Sequence, residues 1–119
     1  MARTSLTKTT ALGAYGTYSA NAADLTMAAA DVGDKNQFTF AGNDLVVAHN
    51  TAGTAQTVTI SSVADPYGRT GDIDTYSIGA GEYAVFGPFE AAGWQQSDGK
   101  VYLEADSADV KLGVVKLPG

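Results

Sequence analysis

The stretch "QTVTISSV", residues 56–63, decides the fold class. Val58 and Ile60 alternate with Thr57, Thr59 and Ser61. A period of two puts the aliphatic side chains on one face and the hydroxyls on the other, and β-branched residues favour the extended backbone. The same signal recurs in both directions. Downstream, "DTYSIGAGEYAVFGPF" (74–89) reads as strand, glycine turn, strand. "KVYLEAD" (100–106) puts Val101, Leu103 and Ala105 on one side and Tyr102 and Glu104 on the other. "DVKLGVVKL" (109–117) alternates as far as Gly113 and slips at Val114–Val115, the pattern of a bulge at a glycine. Upstream, "NDLVVAHN" (43–50) is short and apolar, "NQFTFAG" (36–42) pairs Phe38 with Phe40, and "DLTMAAADV" (24–32) aligns Leu25, Met27 and Ala29. Clusters such as "TAGTA" (51–55) supply turns. No stretch combines a helix cap with a 3.6-residue apolar period. The expected fold is all-β: a single antiparallel β-sandwich of jelly-roll type over residues 24–119.

Residues 1–23 read differently. They are rich in Ala, Thr, Ser, Gly and Tyr and lack a clean period. They are expected to form an extended N-terminal arm, either a solvated tail or a segment that orders on a neighbouring subunit. Leu6, Leu12, Tyr15 and Tyr18 are its apolar anchors and Arg3 and Lys8 its charges. Removing the arm is expected to leave a folded domain.

The chain has 119 residues, which suits one domain, and 13 acidic residues against 7 basic ones, for a formal charge of −6. This balance disfavours nucleic acid and anionic membranes as partners. The charge is uneven, since Arg3 and Lys8 are the only charged residues before Asp24. Residues 1–23 lack the apolar core of a secretory signal, and no segment approaches the roughly 20 apolar residues of a membrane span. There is no cysteine, which excludes disulfides, thiolate zinc sites and cysteine nucleophiles and is compatible with assembly in a reducing cytoplasm.

Few residues suggest chemistry. The loop "ADPYGRTGDI" (64–73) carries Asp65, Asp72 and Asp74, hard oxygen donors for calcium, but their spacing is not that of an EF-hand and the same residues serve turns. The loop reads better as a contact loop. Tyr67 offers a flat body with a polar tip, and Arg69 a fork for a carboxylate. His49 is the only histidine, so any triad or general base would have to use it. Its alternation with Leu45 and Val47 points it toward the core edge or a strand end, in a structural role. Glu82, Glu90 and Glu104 show no pairing that marks glycoside hydrolysis. Trp94 reads as a core or loop plug, with a subunit interface or a sugar platform shared with Tyr83 and Tyr102 as alternatives. "GAGEY" lacks the following helix that a phosphate loop needs. Neither an enzyme nor a cofactor or metal site is expected.

Three stretches carry a resemblance: "NTAGTAQTVTISSVADPYGRTGDI", "GAGEYAVFGPFEAAGWQQSDGKVYLEA" and "SADVKLGVVKLP". From about Asp24 to Pro118 the chain resembles small virion proteins of tailed bacteriophages, specifically head decoration (cement) proteins. The resemblance implies a non-enzymatic structural protein on the capsid exterior, made in the host cytoplasm. It implies a homotrimer that binds the major capsid protein and bridges capsomers. Arg3, Leu6, Lys8, Leu12, Tyr15, Tyr18, Tyr67 and Arg69 are then the expected capsid or subunit contacts. A tail, neck or fibre component, or a carbohydrate- or calcium-binding module, are the alternatives.

Overall fold

The computed structural model describes residues 3–11, 23–64, 67–68 and 70–117. Among these residues the strands are β1 (Thr4–Ser5), β2 (Lys8–Thr10), β3 (Ala28–Ala29), β4 (Asn36–Thr39), β5 (Asp44–Asn50), β6 (Gln56–Ser61), β7 (Ile73–Ile78), β8 (Tyr83–Phe86), β9 (Lys100–Ala105) and β10 (Val110–Lys116). Sheet A has the order β1-β4-β9-β6-β7. Sheet B has the order β2-β10-β5-β8, with β3 also paired to β10. Ala91–Trp94 forms a turn rather than a helix, with non-helical dihedrals at Ala92 and Gly93.

The alternation read from the sequence is realised in β6, where Val58 and Ile60 are fully buried. Phe38 of β4 and Val101, Leu103 and Ala105 of β9 join them from sheet A. Val46 and Ala48 of β5, Ala84 and Phe86 of β8, and Val110, Leu112 and Val114 of β10 meet them from sheet B. One apolar cluster fed by both sheets is the core of an all-β sandwich. The sheets are mixed, because β1 joins β4 and β2 joins β10 in parallel. From β4 to β10 only the β6–β7 link stays within a sheet; every other link crosses between sheets.

Four local expectations need correction. First, "DTYSIGAGEYAVFGPF" does form strand, turn and strand, but β7 and β8 lie in different sheets. Its glycine turn is a sheet-to-sheet corner. Asn50 holds that corner: its buried Nδ2 donates to Ile78 O (2.9 Å) and Thr54 O (2.9 Å), while its Oδ1 accepts from Ala52 N (2.9 Å). Second, β10 pairs with β5 without interruption from Val110–Asn50 to Lys116–Asp44, so Gly113 is not a bulge. Gly113 is required for a different reason. A Cβ there would stand 2.6 Å from Met27 Sδ and 3.1 Å from Leu25 Cδ1, so the glycine admits the segment that crosses over β10. The bulge lies instead on β6–β7, between Val58 and Ile60. Third, the face on which Leu25 and Met27 align lies over Gly113 on the outside of sheet B and adds nothing to the core. β3 covers only two residues, both exposed, and Ala30 is the buried residue of this segment. Fourth, Leu45, Val47 and His49 face away from the core, because Asp44, Val46, Ala48 and Asn50 occupy the inner face of β5.

Residues 3–11 are built into the sandwich of their own chain rather than standing apart as an arm. β1 extends sheet A, β2 extends sheet B, and Leu6 between them is buried in the core. The expected boundary at residue 23 therefore does not separate an arm from a domain. These residues cannot be removed without taking two strands and a core side chain with them. Leu12, Tyr15 and Tyr18 lie outside the described residues.

Candidate interaction surface

The two outer faces of the sandwich differ in chemistry. On sheet A, alternation turns Gln37 and Thr39 (β4), Lys100, Tyr102 and Glu104 (β9), and Thr57, Thr59 and Ser61 (β6) outward. These groups largely satisfy one another. Lys100 Nζ donates to Thr39 Oγ1 (3.1 Å), Lys35 Nζ pairs with Glu104 Oε2 (3.1 Å), and Tyr102 Oη donates to Asp98 Oδ2 (2.6 Å). That last bond holds the Asp98 carboxyl below its usual range and pushes the Tyr102 phenol up. The Arg3 guanidinium lies 4.2 Å over the Tyr102 ring.

On sheet B the outward side chains are Tyr83 and Val85 (β8), Leu45, Val47 and His49 (β5), and Lys111 and Val115 (β10). The register sets Tyr83 beside His49 beside Lys111, and Val85 beside Val47 beside Gly113. Leu25 and Met27 cover Gly113. Tyr83 is 66% exposed, Val85 61% and Leu25 37%. The result is a contiguous apolar strip with Lys111 as the only outward charge on β8, β5 and β10. His49 stacks on Tyr83 with centroids 3.8 Å apart and rings 6° from parallel. It belongs to this face, not to the core edge.

The strip ends at β8. Among the described residues β8 pairs only with β5, and its sequence Tyr-Ala-Val-Phe has neither a charge nor a proline. Proteins usually blunt such an edge with charges, bulges or prolines. β7, the corresponding edge of sheet A, is blunted in this way by the register slip and by Asp74. Tyr76 of β7 packs edge-on against Phe86 of β8 (5.3 Å, 88°), closing the side wall between the two edges while staying half exposed.

The residues singled out from the sequence are dispersed. Arg3 Nη1 donates to Asn36 O (3.0 Å) and Leu103 O (3.3 Å). Leu6 is in the core. Lys8 Nζ stands 3.1 Å from the fully buried Asp44 Oδ1 and donates to Thr39 O (2.7 Å). The contact at Oδ1 is an ion pair without hydrogen-bond geometry. All three side chains thus act within the chain. Tyr67 is 82% exposed on its loop; Arg69 and Asp65 lie outside the described residues.

Asp72 Oδ1 accepts from Ser62 Oγ (2.6 Å) and Ser62 N (2.8 Å), and Ser62 Oγ accepts from Gly71 N (2.9 Å). This clamp closes the base of the loop, and no group of three His, Asp or Glu side chains stands together among the described residues. The Ser62 hydroxyl, then the Ser62 amide, hold the Asp72 carboxyl below its ordinary range. A folded-state pKa lower than the unfolded one gives stabilisation that is complete above the unfolded value of about 3.9 and is lost as pH falls through the folded value. Asp72→Asn is therefore expected to lower the melting temperature slightly at neutral pH, where this stabilisation is present, and to flatten the acid limb below about pH 4, so that the two profiles converge in acid. An unchanged acid limb would remove Asp72 as a contributor.

Trp94 packs edge-on against Phe89 (5.1 Å, 64°) and, with Ser62, Val63 and Gly71, borders a cleft of about 250 Å³ beside the loop. It is separate from Tyr83 and Tyr102, so the three do not form one platform.

The strip on sheet B was missed in the sequence, although a signal exists. "LVVA" (45–48) and "VV" (114–115) are apolar at consecutive positions, which means apolar side chains on both faces of a strand. Comparison with family models, curated proteins and solved structures finds no match. Among the described residues no helix is long and apolar enough to cross a membrane.

Proposed function

We propose that this chain is a bacteriophage head decoration (cement) protein, binding the outer surface of the assembled shell as a homotrimer and bridging capsomers of the major capsid protein. The observation that carries the reading is the one-sidedness of the sandwich. One outer face is polar and internally paired, while the other is an apolar strip that runs to an uncharged strand with one pairing partner among the described residues. Contiguous apolar surface of this kind marks a contact with another macromolecule, and such a strand can add main-chain hydrogen-bonding groups to it. A protein that recognises only the assembled shell adds its binding free energy to shell stability by mass action, and repeated contacts on a lattice act multivalently. The resemblance in the phage-like stretches supplies the shell as the partner.

Particles purified on a density gradient test the reading through the ratio of this chain to the major capsid protein. A ratio near one supports a lattice-wide cement. A few copies per particle would move the chain to the tail or neck, and absence would overturn the virion reading. The surface has its own test. Val85→Lys combined with Tyr83→Ala is expected to weaken binding to stripped particles by roughly a thousandfold, since each hot-spot residue of an interface contributes ~2 kcal/mol or more. The melting temperature should move little, because both side chains are exposed. Undiminished binding would exclude this strip as the contact.

A further inference from the structure

The polar outer face of sheet A contains a cavity of about 220 Å³, lined by Lys35, Thr57, Thr59, Thr75, Glu104 and Asp106 beside Val32. Its walls are unusual in the backbone as well as the side chains. Among the described residues three non-glycines adopt the left-handed region: Lys35 (φ 68°), Asn43 (φ 57°) and Thr75 (φ 47°). Two of the three line this cavity, and one of those is β-branched, the side-chain type least suited to that conformation. The β6–β7 register slip lies at the same place, and Thr75 N is turned to donate to Thr59 Oγ1 (2.9 Å). Strained residues and bulges gather where a strand is re-aimed for binding.

The lining selects a ligand class. Lys35 offers a cationic donor, Glu104 and Asp106 offer carboxylate acceptors, and the three threonines offer hydroxyls that both donate and accept. Lys35 pairs with Glu104 at 3.1 Å, and Asp106 Oδ1 accepts from Thr57 N at 3.0 Å. Two carboxylates against one ammonium repel a phosphate or carboxylate ligand. Only two carboxylates line it, one of them already paired with the Lys35 ammonium, and no group of three His, Asp or Glu side chains that could hold a metal cation stands together among the described residues. A purely apolar ligand would strand the hydroxyls without water. A ring bearing neutral hydroxyls matches donors and acceptors together, and Val32, 41% exposed, supplies a small surface for its C–H face.

We propose that this cavity binds a single neutral sugar ring. No aromatic side chain among the described residues lines it, so affinity rests on hydrogen bonds exchanged with water and falls in the millimolar range. The proposal stands independently of the capsid reading.

The test is a titration of the full-length, ¹⁵N-labelled chain with glucose, galactose, mannose or N-acetylglucosamine, each to about 100 mM, with glycerol as the non-ring control, which spans the range of Kd values above ~1 mM. The expected result is saturable shifts with at least one sugar, centred on the amides of Thr57, Thr59, Thr75 and Glu104 to Asp106, and absent with glycerol. Thr57→Val, which keeps the side-chain shape, is expected to raise the Kd at least fivefold, and Glu104→Gln provides a second variant should the first misfold. The absence of saturable shifts with all four sugars would overturn the proposal. Equal shifts with glycerol, or shifts confined to the cleft beside Trp94, would do the same.

Discussion

Phe38→Ala is expected to lower the unfolding free energy by about 3–5 kcal/mol. Phe38 projects from the middle of β4, is 1% exposed, and sits opposite Val101 in the ladder. Its ring meets Phe89 at 6.2 Å and 49°, and Lys8 Nζ lies 5.8 Å above it. Truncation removes the transfer free energy of a whole ring and leaves a void between two hydrogen-bonded sheets. A ladder on either side prevents the walls from collapsing far, so the cavity cost adds to the transfer cost. For a domain whose total stability is about 5–15 kcal/mol, this is a large share. Urea unfolding at equal slope should report it as a lower midpoint. A loss below about 1.5 kcal/mol would mean that the two sheets do not close over Phe38.

Lys8→Met is expected to cost about 3 kcal/mol at neutral pH. Asp44 is fully buried, at the start of β5; its Oδ2 accepts from Ala41 N (2.9 Å) and its Oδ1 has Lys8 Nζ as its counter-ion. The lysine side chain retains 22% exposure while the carboxylate has none. The asymmetry sets the direction of the larger effect: without Lys8, a carboxylate stays buried without compensation, whereas without Asp44 the ammonium can still reach water. Lys8→Met with Asp44→Asn should recover part of the loss, because the neutral amide can still accept from Ala41 N and carries no charge to desolvate. Denaturant unfolding of the two single variants and the double variant forms the cycle that measures the coupling. A Lys8→Met cost within about 0.5 kcal/mol would show that this ion pair does not hold β2 on the sandwich. The charge that looked like an exposed docking group on a free arm is, by this account, part of the domain's own closure.

The reading of residues 1–23 shows why local pattern fails for such segments. β1 and β2 have two and three residues, too short to display a period, and each is held by a strand far along the chain, β4 and β10. The clues were Leu6 and Lys8 themselves, but the core that takes Leu6, and Asp44 as the counter-ion of Lys8, are identified only by the fold. The same applies to Gly113. A glycine beside two valines fits a bulge when only the strand is considered, and it becomes a contact for Met27 once a second segment crosses it. At Val47 and His49 alternation alone has no preferred phase, because both faces of β5 carry apolar side chains. Asp44 and Asn50, polar yet buried, mark the true inner face.

The sequence by itself determined that this protein is β throughout, where its long strands run, and which side chains of β4, β6 and β9 enter the core. Those features depend on period-two patterning and turn chemistry, which are local. Only the tertiary structure decided that β7 and β8 part into different sheets, that residues 3–11 close the sandwich, and that the apolar strip and the threonine-lined cavity lie on opposite outer faces. Each of these depends on which strands become neighbours. That choice is made by burying one shared core and satisfying the backbone across it, a sum over the whole chain that no short stretch contains.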